Sequence, residues 1–169
     1  MAIQNNNIRL FVPTFAIEEC LNEIRICLEN GWTGSGFKTE EIESLWNEYY
    51  KWSYSIFLNS NTSGLELALQ AMKEEYNWDD ESEIITTPLT FVSTNHAILR
   101  NNLKPVFSDV DDSLCIDPER LISNITEKTV CLMYVGFGGN TGQLKKISRI
   151  CQERNIKLIL DAAHMAGTR

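Results

Sequence analysis

Residues 130–160 read VCLMYVGFGGNTGQLKKISRICQERNIKLIL, and the order of patterns within them decides the fold. Val130 to Val135 is an unbroken apolar run of strand length, Gly142 to Glu153 carries a helical pattern, and Ile156 to Leu160 is a second apolar run. Strand, helix and strand in that order imply two parallel strands joined by a right-handed crossover. The alternation continues toward the N-terminus. Ser55 to Leu58, Glu83 to Thr86 and Pro105 to Val110 also read as strands, and Leu65 to Lys73, Ser93 to Arg100 and Pro118 to Ile125 as the helices between them. Parallel strands must be covered on both faces, so the expected fold class is α/β, a three-layer, mostly parallel sheet flanked by helices.

Two further helices precede this region. Ile17, Leu21, Ile24 and Leu28 recur at helical spacing and Asn30-Gly31 follows as a stop, predicting a helix over residues 16–30. A second is expected from Thr39, as N-cap, through Leu45, Trp46 and Tyr49, with Glu40, Glu41 and Glu43 as a solvated first turn that complements the helix dipole. Gly31-Trp32-Thr33-Gly34-Ser35-Gly36 joins the two, and three glycines there demand a tight or exposed backbone path. The domain reading is an N-terminal helical segment, 1–52, and a larger α/β domain, 53–169. The chain ends at Gly167-Thr168-Arg169, soon after the last strand and without a closing helix, so that domain is expected to be incomplete. Cleavage after an arginine by a trypsin-like protease and a split gene would both produce such an end.

The chain has 169 residues, 43% hydrophobic and 22% charged, the balance of an ordinary globular protein. Fifteen Lys and Arg against 23 Asp and Glu leave a formal charge of −8, so no basic field exists to hold a polyanion and nucleic acid is not an expected partner. Met1 to Asn30 contains no apolar signal core or cleavage pattern, and no later stretch has the roughly 18 unbroken apolar residues of a membrane span. A cytoplasmic protein without membrane association is expected. Cys20, Cys27, Cys115, Cys131 and Cys151 contain no C-x-x-C pair, which points to reduced, mostly buried thiols and to no metal site.

Ligands of parallel sheets bind beyond the carboxyl ends of the strands, where loops lead into helix N-termini. Three such ends carry polar residues. Asn59-Ser60-Asn61-Thr62-Ser63-Gly64 precedes a helix, and free N–H groups there, with Thr and Ser hydroxyls, make a phosphate site; simple N-capping by Ser60 or Thr62 explains the same residues. Thr87-Pro88-Leu89-Thr90-Phe91-Val92-Ser93-Thr94 sets Phe91 in a polar loop before a helix, where it can stack on a flat heterocycle or serve as a hydrophobic staple. Asp161, followed by Ala162-Ala163-His164, ends the last strand; a carboxylate there can keep a pyridine nitrogen protonated, or act as a turn residue. His96 reads as a structural or partly solvated residue.

In this order the three sites resemble the nucleotide-sugar aminotransferases of the DegT/DnrJ/StrS type. These are pyridoxal-phosphate enzymes with the aspartate-aminotransferase fold, and the resemblance covers nearly the whole chain. It also includes Gly31 to Gly36, Pro105-Val106-Phe107-Ser108-Asp109-Val110, Ile116-Asp117-Pro118 and Thr126-Glu127-Lys128-Thr129. The resemblance implies that Thr62 and Ser63 hold the phosphate of pyridoxal 5'-phosphate, that Phe91 stacks on its ring, that Asp161 pairs with the ring nitrogen and that His164 lies near the ring hydroxyl. It implies amino transfer, from glutamate, to a keto carbon of a nucleotide-linked deoxysugar in polysaccharide biosynthesis, by a homodimer with the Trp32 segment near the subunit boundary. Two positions depart from the family pattern: Asn61 stands where Gly is usual, and Gly136 where His is frequent. Asn tolerates unusual backbone angles better than most residues, so the first change looks mild.

The Schiff-base lysine of such enzymes lies beyond the Asp-Ala-Ala-His segment, and none of Lys73, Lys145, Lys146 or Lys157 fits its role. No catalytic residue of that kind is therefore expected within residues 1–169, and this polypeptide alone is expected to be inactive. Two rival readings stand beside the aminotransferase. One is a sugar dehydratase of the same family, which has His in place of that lysine. The other is a non-catalytic scaffold module on the same fold.

Overall fold

The computed structural model describes residues 12–168. Residues 1–11 and 169 lie outside it, and with them the start of the stretch read as lacking a leader and the terminal arginine. The chain divides into two compact units, one ending at Phe57 and one beginning at Leu58, and each is described by itself.

In the first unit, helix α1 spans Ile17–Glu29 and helix α2 spans Phe37–Tyr50. α1 ends as its sequence predicts, with Asn30 as C-cap and Gly31 at φ +67°. α2 starts two residues before the expected Thr39. Its N-cap is Gly36, where an added Cβ would fall 2.6 Å from Trp32 Nε1, so the indole occupies the space a side chain would need. The same Nε1–H donates to the Ser35 carbonyl at 2.8 Å. Glu43 is not the solvated acid expected of a first turn. Its Oε1 accepts the Phe57 N–H at 2.7 Å, and its backbone carbonyl accepts the Ser55 hydroxyl at 3.1 Å.

Those bonds correct the reading of Ser55 to Leu58 as a strand. The segment has no strand neighbour among the described residues, and its hydrogen bonds go to α2. Apolar alternation marks a segment that can be half buried, but only a paired backbone makes it a strand.

The second unit contains helices α3 (Asn61–Glu75), α4 (Val92–Arg100), α5 (Pro118–Asn124) and α6 (Leu144–Glu153), with strands β1 (Glu83–Thr86), β2 (Lys104–Phe107), β3 (Thr129–Val135) and β4 (Lys157–Asp161). All strand pairs are parallel, in the order β2-β1-β3-β4. The fold class is therefore α/β, as the alternation predicts. β2 stops at Phe107, short of the expected Val110, because Val110 turns into an antiparallel bridge with Ile116.

Alternation within single strands builds two cores. Ile84, Cys131, Met133 and Ile159 face Leu65 and Leu69 of α3 and Ala97 and Ile98 of α4. Ile85, Leu132 and Tyr134 face the other way, onto Leu121 of α5 and Ile147, Ile150 and Cys151 of α6. Each strand residue thus buries its side chain on the face opposite its neighbour's, and the sheet is sandwiched between two helix layers. The strand order reverses between β1 and β3, and the crevice beyond their carboxyl ends is where such sheets take ligands.

Cys131 and Cys151 are buried in these cores, and burial pushes their thiols up to about 12 and about 11. A thiol must ionise to react. At pH 8 a disulfide reagent is expected to label Cys20, which is exposed, and Cys27, which is half-buried, within minutes, while Cys131 and Cys151 react only as the protein opens. Peptide mapping of a labelling time course checks this; rapid modification of Cys131 would contradict the burial.

Candidate active site

The first turn of α3 reaches the carboxyl end of β4 through Asn61, which bonds Asp161. Ser60 is the N-cap: its Oγ accepts the Ser63 N–H at 3.2 Å, and its carbonyl accepts the Gly64 N–H at 3.2 Å. Capping therefore falls to Ser60 rather than Thr62. The helix begins four residues earlier than the sequence pattern indicates, which places Thr62 and Ser63 inside the first turn. The backbone N–H groups of Asn61 and Thr62, at the first two helical positions, have no partner among the described residues. Neither has the Thr62 hydroxyl, whereas the Ser63 hydroxyl shares a 3.0 Å hydrogen bond with Ser60.

The loop after β1 leads into α4, which also reaches Asp161. Phe91 is the N-cap residue of α4, and its ring is 74% exposed. At that position and exposure it makes no hydrophobic staple among the described residues. One turn into α4, Thr94 is fully buried, and its hydroxyl lies 2.8 Å from that of Thr90. His96, on the same helix, is exposed.

Asp161 ends β4 and is 5% exposed. Thr94 Oγ1 donates to its Oδ2 at 2.7 Å, Asn61 Nδ2 donates to its Oδ1 at 3.0 Å, and the Ala163 N–H donates to Oδ1 at 3.3 Å. A carboxylate only accepts, so the Thr94 proton is committed to Asp161 and Thr90 must be the donor to Thr94. The result is a directed chain from Thr90 through Thr94 to the carboxylate. Asn61 has an ordinary helical backbone, so the tolerance of unusual angles expected of it is not used; what distinguishes it from glycine is the amide that reaches Asp161.

A short 3-10 turn, Phe137–Gly139, follows β3 and meets the segment after Asp161. The Gly138 N–H donates to His164 Nδ1 at 3.1 Å, so Nδ1 is the acceptor and the ring proton sits on Nε2. The imidazole lies edge-on to Phe137, with 5.8 Å between ring centroids. Gly136, the second departure from the family pattern, is occupied from outside: an added Cβ would lie 2.0 Å from Met165 Sδ, so the methionine side chain fills the place of the missing one.

The structure thus brings Asn61, Thr94, Asp161 and the first turn of α3 together, with Phe91 exposed between Thr90 and Thr94 in the chain and His164 three residues past Asp161. Sequence reading assigned no role to Thr90 or Thr94, although their spacing of four, straddling Phe91, puts two hydroxyls one helical turn apart. Among the described lysines of this unit, Lys104 and Lys157 begin strands, at the pole away from the site, and Lys128 immediately precedes β3. Lys73 is paired with Asp80, and Lys146 with Glu119.

Comparison with known proteins places this geometry in context. The spore coat polysaccharide biosynthesis protein SpsC of Bacillus subtilis is 32% identical over 98% of the chain, which spans 41% of that protein. An aminotransferase from Psychrobacter cryohalolentis superposes with a TM-score of 0.79 at 29% identity, over 90% of this chain and 38% of its own. NtdA of Bacillus subtilis, solved with bound cofactor PMP, superposes with a TM-score of 0.81 at 25% identity, over 94% of this chain and 38% of its own. The chain therefore spans about two fifths of the length of these relatives. Residues 15–169 match the family model described as the DegT/DnrJ/EryC1/StrS aminotransferase family, and the chain belongs to that family.

Proposed function

We propose that the full-length protein is a pyridoxal-phosphate-dependent sugar aminotransferase, which moves an amino group from glutamate to a keto carbon of a nucleotide-linked deoxysugar. The observation that carries this reading is the buried Asp161 carboxylate, fixed by three donors at the end of β4 and hydrogen-bonded to the residue that opens α3. The residues fit the cofactor at four points. Two unpartnered N–H groups and the Thr62 hydroxyl at the start of α3 suit a phosphate, with Ser63 beside them. The exposed Phe91 ring suits the face of a heterocycle. Asp161, with acceptor capacity left on Oδ2, suits a ring N–H, and the Nε2–H of His164 is free to donate to a ring oxygen.

When bound, the cofactor supplies an electron sink for the carbon that loses its proton, and the protein holds and tunes it. Asp161 would hold a negative charge toward the ring nitrogen, and the start of α3 would hold the phosphate. Family membership and the polysaccharide-biosynthesis relative support a sugar substrate. Among the described residues no helix is long and apolar enough to cross a membrane. We place the cofactor domain at residues 53–169, and pairing of two copies near Trp32 follows from the family resemblance.

The test uses purified full-length protein with pyridoxal phosphate, glutamate and a panel of nucleotide-linked keto sugars, followed by mass spectrometry. An amino sugar and 2-oxoglutarate are expected in equal amounts. Loss of a sugar hydroxyl without amino transfer would instead assign the dehydratase, and failure to retain any cofactor would assign a scaffold. Borohydride treatment of the loaded protein is expected to fix no pyridoxyl label on any lysine of residues 1–169.

A further inference from the structure

Asn61 stands on ordinary helical backbone at the first position of α3. Its side chain is therefore free to act, and it spans from α3 to the end of β4, 100 residues away in sequence. An ionised carboxylate offers about four acceptor positions, two on each oxygen. On Oδ1 both are taken, by Asn61 Nδ2 at 3.0 Å and the Ala163 N–H at 3.3 Å. On Oδ2 one is taken, by the Thr94 hydroxyl at 2.7 Å.

We propose that Asn61 is a positioning residue for Asp161: by saturating Oδ1 it leaves a single acceptor position, on Oδ2 beside Thr94, to receive the ring N–H of the cofactor. This rests on the cofactor reading above. A free carboxylate can turn about its last bond and present either oxygen. Here the Asn61 amide and the Thr94 hydroxyl grip opposite oxygens, and that pair of bonds fixes the plane. Because Asn61 also supplies one of the two open N–H groups at the start of α3, the ring-nitrogen and phosphate ends of the site are tied through one residue. A glycine there would keep the phosphate end and lose the tie.

The test compares Asn61→Ala and Asn61→Gly with the unsubstituted full-length protein. Binding is measured by fluorescence titration with pyridoxamine phosphate and with its analogue carrying C–H in place of the ring nitrogen. Asn61→Gly serves as a second variant that removes the whole side chain, and thermal melts check that both variants fold. Each variant is expected to bind pyridoxamine phosphate about tenfold more weakly, the scale of one hydrogen bond to a charged group. The ring-carbon analogue should bind all three proteins alike. A second readout is the resonance of ring-15N pyridoxamine phosphate, which should broaden or shift in the variants as the single hydrogen-bond geometry is lost. Equal losses for both ligands, or no loss for either, would overturn the role of Asn61. If the unsubstituted protein bound neither ligand, the cofactor reading would fall instead, so the two failures are distinguishable.

Discussion

Asp161→Asn in the full-length protein is expected to lower turnover by roughly three orders of magnitude, about 4 kcal/mol of lost transition-state stabilisation at 1.36 kcal/mol per tenfold. The substitution keeps the shape but removes the charge that the proposed site offers to the ring nitrogen. It also disturbs the donor chain. An asparagine oxygen can still accept from Asn61, but its NH2 then meets the Thr94 hydroxyl, which must turn from donor to acceptor and lose the direction that runs from Thr90 to the carboxylate. The variant should remain folded, because each buried polar atom can still find a partner. Steady-state kinetics, with circular dichroism melts as the control for folding, check both halves of the statement. Turnover within a few fold of the parent would sink the role assigned to Asp161.

The largest stability effect is expected at Gly142, far from any chemistry. Its φ is +49°, and an added Cβ would lie 2.6 Å from Tyr134 Oη, 2.7 Å from Cys115 Cβ and 2.8 Å from Ser113 Oγ. None of these can retreat cheaply. Tyr134 is fully buried and donates to the Thr141 carbonyl at 3.0 Å, and burial pushes its phenol up from its ordinary value. Ser113 is held through its hydroxyl and its N–H to Asp111, whose other oxygen accepts from Gln143 at 2.9 Å. These donors, the Ser113 hydroxyl foremost, hold the Asp111 carboxyl below its usual value.

Gly142→Ala therefore combines overpacking with a left-handed backbone. It should cost roughly 3 kcal/mol, lowering Tm by on the order of 10 °C. Gly138→Ala is the control: its φ is +61°, but nothing lies within 4 Å of the added atom, so only the backbone penalty of about 1–2 kcal/mol applies. Equal losses for the two variants in denaturant titrations would show that packing around Gly142 is not the cause.

What the sequence made legible was whatever depends on local pattern. The four sheet strands could be read from short apolar runs, and their parallel arrangement from the helices between them. Asp161 could be placed at a strand end because Ile156 to Leu160 is apolar and stops there. Bonds between distant segments were not legible. Nothing in Ser55 to Leu58 announces that the Phe57 N–H will find the Glu43 carboxylate instead of a strand, and nothing around Asn61 announces Asp161. The start of α3 was misjudged because Asn61 to Gly64 are poor helix formers, while the Ser60 cap favours the helical turn in which they lie. Gly136 illustrates the same limit. Its missing side chain is supplied by Met165, a compensation visible only when β3 and the segment after β4 stand side by side.

The separation of 100 residues between Asn61 and Asp161, and of 67 between Thr94 and Asp161, also bears on the order in which the molecule assembles. Contacts between such remote segments close long loops and tend to form late in folding. The carboxylate end of the site comes into being only when β4 docks on β3 and brings Asp161 to Asn61 and Thr94. A ligand that touches both ends would bind only once β4 has docked on β3, and would draw the folding equilibrium toward that state by mass action.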